Sequence, residues 1–302
     1  MVYIIIVTYN AMQWLSKTLS SIPAEFSVVI VDNNSSDKTL DFIKNNYPQI
    51  TVLPQSENLG FGKANNLGIS YALNKGADYV FLLNQDAYLH PRTIEKLLDA
   101  HKSNPQLGII SPLHLNGNGD NLDVGFLNAI TNSGLEHFND NFKAQKLNSV
   151  YELPFVNAAA WLLPKQTLEI VGGFDPIFFH YGEDDNYCQR ILFQGLKIGV
   201  VTDAIINHDR ENRTPKKVEI YSSQYYKTKE KDYKLRWSNI LVSNYSFKPK
   251  LWELQKRRIK ALLKLDFKLF SGVGKEIQLI KKHKSEILNS RAINMTKGRH
   301  YL

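Results

Sequence analysis

Residues 2–10 read Val-Tyr-Ile-Ile-Ile-Val-Thr-Tyr-Asn, an apolar run rich in β-branched side chains that ends abruptly in polar residues. A short run that is apolar throughout, rather than alternating, is typical of a strand buried on both faces of a parallel sheet. Similar runs follow at Val28–Val31, Ile50–Leu53 and Tyr79–Leu83. Segments with helical spacing separate them, so the sequence predicts an α/β protein with a mainly parallel sheet and helices on both faces.

The remaining elements follow from spacing and composition. Helices are predicted at residues 11–22, Ser36–Tyr47, Gly60–Leu73, Pro91–His101 and 183–194, and a final strand at Lys197–Val201. Residues 114–150, which contain Asn116-Gly117-Asn118-Gly119, are predicted to be an irregular insertion, because Asn-Gly pairs favour turns. Phe155–Leu163 is apolar and reads as a buried strand.

Charge divides the chain of 302 residues, whose net charge is +8. Residues 1–210 hold 14 Lys/Arg and 21 Asp/Glu, a net charge of −7, whereas residues 211–302 hold 23 and 8, a net charge of +15. We therefore expect a catalytic domain at 1–210 and a basic, mainly helical extension at 211–302. Such an extension could face nucleic acid, an anionic membrane or an anionic partner.

Cysteine content and hydropathy indicate the compartment. The single cysteine, Cys188, excludes an internal disulfide framework and a cysteine-rich zinc site. No apolar run approaches the ~20 residues of a membrane span, and residues 2–7 lack the basic lead of a signal peptide. The expectation is a cytoplasmic protein.

Within the extension, Leu251–Phe270 has the pattern of a basic amphipathic helix. Its leucines fall within about half of a helical wheel and most of its lysines fall opposite. This pattern suits contact with an anionic membrane surface. It equally suits packing on the catalytic domain with a solvated basic face. The sequence leaves both readings open, and it leaves the oligomeric state open.

Polar clusters follow three of the predicted strands: Thr8-Tyr9-Asn10, Asp32-Asn33-Asn34-Ser35 and Asn84-Gln85-Asp86. Ligands of open α/β sheets bind at the carboxyl ends of the strands, so these clusters favour a nucleotide site over ordinary capping. The glycine-rich stretch Asn58–Asn66 opens a predicted helix and could bind an anion there. It matches neither Walker A nor the dinucleotide fingerprint.

Carboxylates supply the candidate chemistry. Asp86 at a strand end could bind a divalent cation together with a substrate phosphate. Glu183 and Asp184 follow an aromatic segment, where crowding and partial desolvation would raise a pKa as a general base requires. The alternative is that these acids only favour the start of a helix. His208 alone would be structural or solvated, and becomes a functional candidate only beside a metal.

Together these pieces resemble the family 2 glycosyltransferases, inverting enzymes of the GT-A fold, and most closely their bacterial rhamnosyltransferase-like branch. The matching motifs stand in the expected order over about residues 2–210: Val7–Asn10, Val31–Ser35, Glu57–Gly62, Asn84–Asp86, Gly172–Asp175, Tyr181–Asp184 and His208. The resemblance implies a hexosyl- or rhamnosyltransferase-like enzyme of cell-surface polysaccharide synthesis. Its donor would be a nucleoside-diphosphate sugar and its acceptor a saccharide or lipid-linked saccharide.

The resemblance also implies roles for individual residues. The nucleotide-sugar site would comprise Thr8, Tyr9, Asn10, Asp32, Asn33, Asn58, Gly62, Asn65, Asn84 and Gln85. A divalent cation, Mg²⁺ or Mn²⁺, would bind Asp86 and His208. Asp184 would be the catalytic base with Glu183 beside it, and the acceptor would contact Trp161, His180 and Tyr181. Asn84 stands where the family's Asp-x-Asp motif has its first acid, so the metal would have fewer protein charges.

Two other functions compete with this interpretation. A sugar nucleotidyltransferase has a similar sheet, but it requires a glycine-rich cationic loop after the first strand, and residues 8–12 contain neither glycine nor cation. A nucleic-acid-binding protein could use the basic, tyrosine-rich extension. The acidic body and the lack of a nucleic-acid motif favour no nucleic-acid partner. Lipid-linked acceptors would place the enzyme peripherally at the inner membrane face.

Overall fold

A computed structural model describes residues 1–210 and 218–302. Residues 211–217 of the predicted extension lie outside the described residues. The described chain forms two compact units, of which the first contains residues 1–210 with Lys297–Leu302 and the second residues 218–296. The last six residues, which the sequence groups with the basic extension, therefore lie in the first unit.

One sheet organises the first unit. Its strands are β1 (Val2–Thr8), β2 (Ser27–Asp32), β3 (Thr51–Pro54), β4 (Tyr79–Leu83), β5 (Ala87–Leu89), β6 (Leu107–Asn116), β7 (Val150–Glu152), β8 (Ala160–Pro164) and β9 (Lys197–His208). The order is β3-β2-β1-β4-β8-β6-β9-β5, and β7 pairs with β9. Strands β3, β2, β1 and β4 are parallel, as the apolar runs predict.

Beyond β4 the sheet is mixed rather than mainly parallel. β8 runs antiparallel to both β4 and β6, because it starts at the edge where β4 ends. β6 and β9 are parallel, and β5 and β7 are antiparallel to β9. As a result, the carboxyl ends of β1, β2, β4 and β9 share one edge of the sheet with the start of β8.

Helices cover both faces of this sheet, as expected. They are α1 (Leu15–Ser20), α2 (Thr39–Asn46), α3 (Phe61–Asn74), α4 (Thr93–Ser103), α5 (Val124–Asn132), α6 (Phe138–Lys143), α7 (Lys165–Val171) and α8 (Glu183–Phe193). Successive side chains of a strand point to opposite faces. Ile5 accordingly packs in one buried cluster while Ile4 and Ile6 pack in another. This two-sided burial explains why the strand runs are continuously apolar.

Two predictions for the first unit were wrong. Residues 114–150 are not an irregular insertion, because they contain the end of β6 and the helices α5 and α6. Buried Phe126 and Phe138 anchor these helices to the core, so packing overrides the turn-forming composition around them. The final strand continues past Val201 to His208, because Ala204 and Ile206 are buried beyond an irregularity in its register with β6.

The second unit is helical, with α9 (Ser223–Ser238), α10 (Lys248–Leu263) and α11 (Phe267–Asn294). The single helix predicted at Leu251–Phe270 was wrong, since α10 ends at Leu263 and α11 begins at Phe267. The buried aromatic rings of Tyr233, Trp237 and Phe247 pack against one another in the core of the second unit. Within the described ranges, none of the helices has the length and apolar character needed to cross a bilayer.

Candidate functional site

Asp32 joins the carboxyl ends of β1 and β2. Its Oδ1 accepts hydrogen bonds from the hydroxyls of Thr8 (2.9 Å) and Ser35 (2.6 Å), and its Oδ2 accepts the backbone N–H of Ser35 (3.0 Å). Asp32 and Thr8 are both fully buried. These hydrogen bonds fix the loop that follows β2. Neither side chain is exposed to a ligand.

Asn10, Tyr9 and Gln85 lie next to this loop and nearer the surface. Asn10 has a left-handed backbone (φ 51°), and its Oδ1 accepts the backbone N–H of Ser36 (2.8 Å). The backbone N–H of Tyr9 donates to Gln85 Oε1 (2.8 Å), which ties β1 to the end of β4. The Tyr9 ring is 48% exposed. It is thus an accessible aromatic surface at the strand ends.

Asn33 clamps the glycine-rich loop before α3. Its Oδ1 accepts the backbone N–H of Leu59 (2.7 Å), and its Nδ2 donates to Asn58 Oδ1 (2.9 Å). Gly60 has φ 80°, and a Cβ there would lie 2.0 Å from the carbonyl oxygen of Phe179. Only glycine meets both conditions. The loop is therefore held against the segment that leads into α8.

The start of α3 packs closely on Phe174 and on Glu183 at the start of α8. A Cβ on Gly62 would lie 2.9 Å from Phe174 Cβ and 3.7 Å from Glu183 Cβ. Asn65 is buried and donates to the carbonyl of Phe61 (3.0 Å), so its amide serves the helix. Sequence reasoning missed Asn66, whose side chain pairs with the backbone N–H and C=O of Phe174 (2.7 and 2.8 Å). The signal in the sequence was an Asn in the interior of a predicted helix, where this residue type is disfavoured.

Glu183 and Asp184 lie in the first turn of α8. Glu183 is 5% exposed, and its Oε2 is buried without a hydrogen-bond partner. Burial and the neighbouring Asp184 carboxylate raise the pKa of Glu183 to about 7. Burial also raises the pKa of Asp184, while backbone amides of Asp185 and Ala158 and the charge of Arg210 oppose this rise. Two adjacent carboxyl groups with raised pKa values suit proton transfer.

Asp86 and His208 meet where β4 and β9 end. His208 Nε2 lies 3.4 Å from Asp86 Oδ1 and 3.4 Å from Asn84 Nδ2. On its other side, His208 Nδ1 lies 3.6 Å from Asp123 Oδ2. His208 is nearly fully buried, whereas the Asp86 side chain is 21% exposed. An imidazole nitrogen and a carboxylate oxygen therefore lie side by side, and solvent reaches the carboxylate.

This pair fits a divalent cation as a partial ligand set. The separation of 3.4 Å is slightly longer than the roughly 3.0 Å between adjacent ligands of an octahedral Mg²⁺ ion, so a small shift of the exposed Asp86 side chain would complete the geometry. Within residues 1–210 and 218–302, no group of three or more His, Cys, Asp or Glu side chains could hold an ion by itself. The residues present fit a cation that takes its remaining ligands from a bound diphosphate and water.

Arg210 and residues 158–159 connect the two carboxylate centres. Arg210 Nε donates to His208 Nε2 (3.4 Å), and the charge of the same guanidinium partly opposes the burial that raises the pKa of Asp184. The backbone N–H of Asn84 donates to Ala159 O (2.9 Å), while the backbone of Ala158 hydrogen-bonds to Asp184. The candidate base and the candidate metal ligands therefore belong to one site.

Sequence reasoning missed two residues of this site, Asp123 and Arg210. Asp123 caps α5 by accepting the backbone N–H of Phe126 (2.7 Å), and it lay in a segment that was expected to be irregular. Arg210 sits at the predicted boundary between body and extension. Neither position carries a motif, so only the fold brings these residues to His208.

The candidate acceptor residues separate into two groups. Trp161 lies in β8, and its fully buried ring stacks on Phe174 (centroids 6.0 Å apart). The structure does not bring it to the surface, because residues in the middle of this strand face the core. His180 and Tyr181 are exposed, with ring centroids 3.9 Å apart, and only Gly182 separates them from Glu183. Phe179 adds a third exposed ring.

Comparison with known proteins identifies the family of the chain. The family described as Glycosyl transferase family 2 matches residues 3–169. The chain is 24% identical over 208 residues to the dTDP-rhamnosyl transferase RfbF of Shigella flexneri, covering 68% of each protein. It is 26% identical over 235 residues to the N-acetylglucosaminyl-diphospho-decaprenol L-rhamnosyltransferase of Mycobacterium tuberculosis, covering 70% of this chain and 76% of that protein.

Solved structures confirm the GT-A fold. TarS residues 1–349 of S. aureus, in complex with UDP-GlcNAc, superpose with a TM-score of 0.55 at 15% identity, over 97% of this chain and 89% of that one. GalNAc-T7 with UDP, GalNAc and Mn²⁺ gives a TM-score of 0.54 at 14% identity, over 78% of this chain and 50% of that one. The family match ends before α8, so Asp184 and His208 lie outside it.

Proposed function

The chain belongs to glycosyl transferase family 2 and uses a nucleotide-sugar donor, and we propose that it transfers the sugar to a saccharide or lipid-linked saccharide with inversion. The observation that carries this proposal is the single site built from Asp86, His208, Arg210 and Asp184. It combines an anion-binding end with a proton-accepting end. Membership of this family favours transfer of a sugar over nucleotidyl transfer or nucleic-acid binding.

The strand ends of β1, β2 and β4 would bind the nucleoside. Tyr9 offers an exposed ring to the base, and aromatic stacking on a base is worth about 1–3 kcal/mol. Asn10, Asn58 and Gln85 line the same edge with amide groups. Asp32 and Asn33 would act indirectly by fixing the loops that carry these side chains.

The diphosphate would lie at the end formed by Asp86, His208 and Arg210. Asp86 and His208 would hold a divalent cation, Mg²⁺ or Mn²⁺, which when bound neutralises charge on the diphosphate. Arg210 would add a fixed positive charge that stabilises the leaving group. The negative charge of Asp123, 3.6 Å from His208 Nδ1, would favour a proton on Nδ1 and so leave Nε2 as the nitrogen that binds a cation.

Asp184 would be the catalytic base. It takes the proton of an acceptor hydroxyl, whose oxygen forms a bond to the anomeric carbon. The bond from that carbon to the diphosphate oxygen breaks, and its electron pair leaves with the nucleoside diphosphate. Attack from the face opposite the leaving group inverts the anomeric centre. Asp184 is preferred over Glu183 because it is the less buried of the two residues.

The exposed rings of His180 and Tyr181 would contact the acceptor next to the base. The relative from Mycobacterium tuberculosis has a decaprenol-linked acceptor in its name, which supports a lipid-linked acceptor here. Cys188 is buried and free, in keeping with a reducing compartment. We therefore propose a cytoplasmic enzyme of cell-surface polysaccharide synthesis that works at the inner membrane face.

Calorimetric titration with UDP, dTDP and GDP, in Mn²⁺ and in EDTA, tests the donor site. We expect at least one nucleoside diphosphate to bind, and Asp86→Ala to weaken its Mn²⁺-dependent affinity by about tenfold or more. Asp203→Ala, which removes an exposed acid of β9, is the matched control and should leave the affinity unchanged. Equal affinities of wild type and Asp86→Ala in Mn²⁺ would refute the assignment of Asp86.

A further inference from the structure

Helix α10 has two apolar faces, and only one of them is used within the second unit. Leu254 and Ala261 are fully buried. Trp252, Ile259 and Leu263 lie on the opposite side, within about 40° of one another at 100° per residue. Their exposed fractions are 60%, 60% and 79%. This outer stripe therefore does not belong to the packing face that an amphipathic helix of a globular protein requires.

The stripe continues over the corner between α10 and α11. Leu265 and Phe267 are 73% and 65% exposed. The corner is a Schellman turn, in which the backbone N–H of Asp266 bonds to Ala261 O (2.9 Å) and that of Leu265 to Leu262 O (3.0 Å). We call Trp252, Ile259, Leu263, Leu265 and Phe267 the outer apolar surface.

Leu265 occupies the position of this turn where glycine is favoured. Its backbone is left-handed (φ 55°), a conformation that costs a residue with a Cβ roughly 1–2 kcal/mol. A glycine would relieve that cost, whereas a leucine that is 73% exposed gains little stability from burial in the folded unit. The side chain at this position therefore needs an explanation outside folding stability.

Lysines flank the outer apolar surface. Lys256 and Lys260 lie on α10 beside the stripe, and the Lys256 ammonium sits 3.2 Å from the centroid of the Trp252 ring. Lys264 and Lys268 lie at the corner, and Lys268 is 3.6 Å from Glu219. Asp266 is an acid in this stretch, and its Oδ1 caps α11 by accepting the N–H of Leu269 (2.9 Å).

We propose that the outer apolar surface docks on the anionic headgroups of a lipid bilayer, with its leucines and aromatic rings entering the headgroup–acyl boundary. Apolar side chains in a lysine border match such a surface in both hydrophobicity and charge. A second copy of the chain is a poorer fit, because a symmetric contact would bring like-charged lysines together. The proposal concerns the second unit alone and does not depend on the transfer reaction.

Vesicle binding by the full chain tests the proposal. The wild type should sediment with phosphatidylglycerol/phosphatidylcholine vesicles at low salt and release as salt is raised, but should not sediment with phosphatidylcholine alone. The emission of exposed Trp252 should shift to shorter wavelength on binding, and Trp252→Phe should abolish this shift. An unchanged emission spectrum together with no sedimentation would overturn the proposal.

Leu265→Gly separates docking from folding. It should leave the unfolding midpoint unchanged or raise it, while weakening binding to the anionic vesicles by about tenfold. Lys260→Gln/Lys264→Gln should weaken binding by about fivefold per lysine. Lys143→Gln/Lys146→Gln removes the same charge from exposed positions in the first unit and is the matched control. If both double variants lost the same affinity for the vesicles, binding would depend on net charge alone. That result would overturn the assignment of the outer apolar surface.

Light scattering distinguishes the competing occupant. A wild type that is dimeric without vesicles, and whose dimer is lost in Leu265→Gly, would assign the surface to a second copy and overturn the proposal. A self-association state that Leu265→Gly leaves unchanged, with loss of vesicle binding, supports it.

Discussion

Replacing Glu183 by glutamine should make the protein more stable at alkaline pH and not at acidic pH. The carboxyl group is 5% exposed, and its Oε2 is buried without a hydrogen-bond partner. Burial and Asp184 raise the pKa of Glu183 from its ordinary value of 4.5 to about 7. This difference corresponds to about 3 kcal/mol, since one pKa unit is about 1.4 kcal/mol.

The direction follows from proton binding. Between pH 4.5 and about 7 the folded state binds a proton on Glu183 that the unfolded state has released. The associated stability is fully present below pH 4.5 and is lost as pH rises through about 7. Glutamine stays neutral throughout, so Glu183→Gln should gain on the wild type by up to about 3 kcal/mol between pH 4 and pH 9.

Urea unfolding of wild type and variant at several pH values measures this difference. Glu25→Gln, which removes an exposed glutamate, controls for the loss of one surface charge. Carbon-13 NMR of the glutamate carboxyls gives an independent readout, because the resonance missing from Glu183→Gln should titrate near pH 7 in the wild type. A stability difference that is constant from pH 4 to pH 9 would show that the pKa of Glu183 is not raised in the folded state.

Three further substitutions test how the site is held. Asn66→Ala should lower the free energy of unfolding by about 2–4 kcal/mol, measured by urea denaturation, because it leaves the backbone N–H and C=O of Phe174 unpaired. Gly62→Ala should cost about 1–3 kcal/mol in the same assay, since its Cβ would overpack against Phe174; a neutral result would contradict the close approach. Asp123→Asn should preserve the fold, because asparagine also caps helices, but should weaken Mn²⁺-dependent nucleotide affinity by about tenfold through His208. Calorimetry that showed unchanged affinity would remove Asp123 from the site.

The parallel half of the fold was predictable because each of its buried strands is visible in the sequence as a continuous apolar run. The runs at β1, β2 and β4 are apolar throughout, since both faces of these strands are covered by helices. The antiparallel position of β8 between β4 and β6 was not predictable, because an apolar run does not indicate whether its strand lies parallel or antiparallel to its neighbours. The helices α5 and α6 were missed because Asn-Gly turns precede them and only the burial of Phe126 and Phe138 reveals them.

The motifs of the candidate site were predictable from the sequence. Which of their side chains are accessible to a ligand, and which only hold the loops, was not. Asp32 and Asn65 were expected to face the nucleotide, yet both are buried and hydrogen-bonded within the protein. Burial cannot be read from a polar residue in a loop motif. Arg210 carries no motif, although its position beside His208 connects the two ends of the site.

The turnover of Asp184→Asn tests whether Asp184 is the catalytic base. With a donor that binds in the calorimetric screen and an acceptor that it glycosylates, we predict that kcat falls by about 10²- to 10⁴-fold, because the amide cannot accept the hydroxyl proton. Asp185→Asn, on the same helical turn, should stay within several-fold of the wild type. Nucleoside-diphosphate affinity should remain that of the wild type in both variants. Near-normal turnover of a folded, nucleotide-binding Asp184→Asn would contradict the assignment of Asp184 as the base.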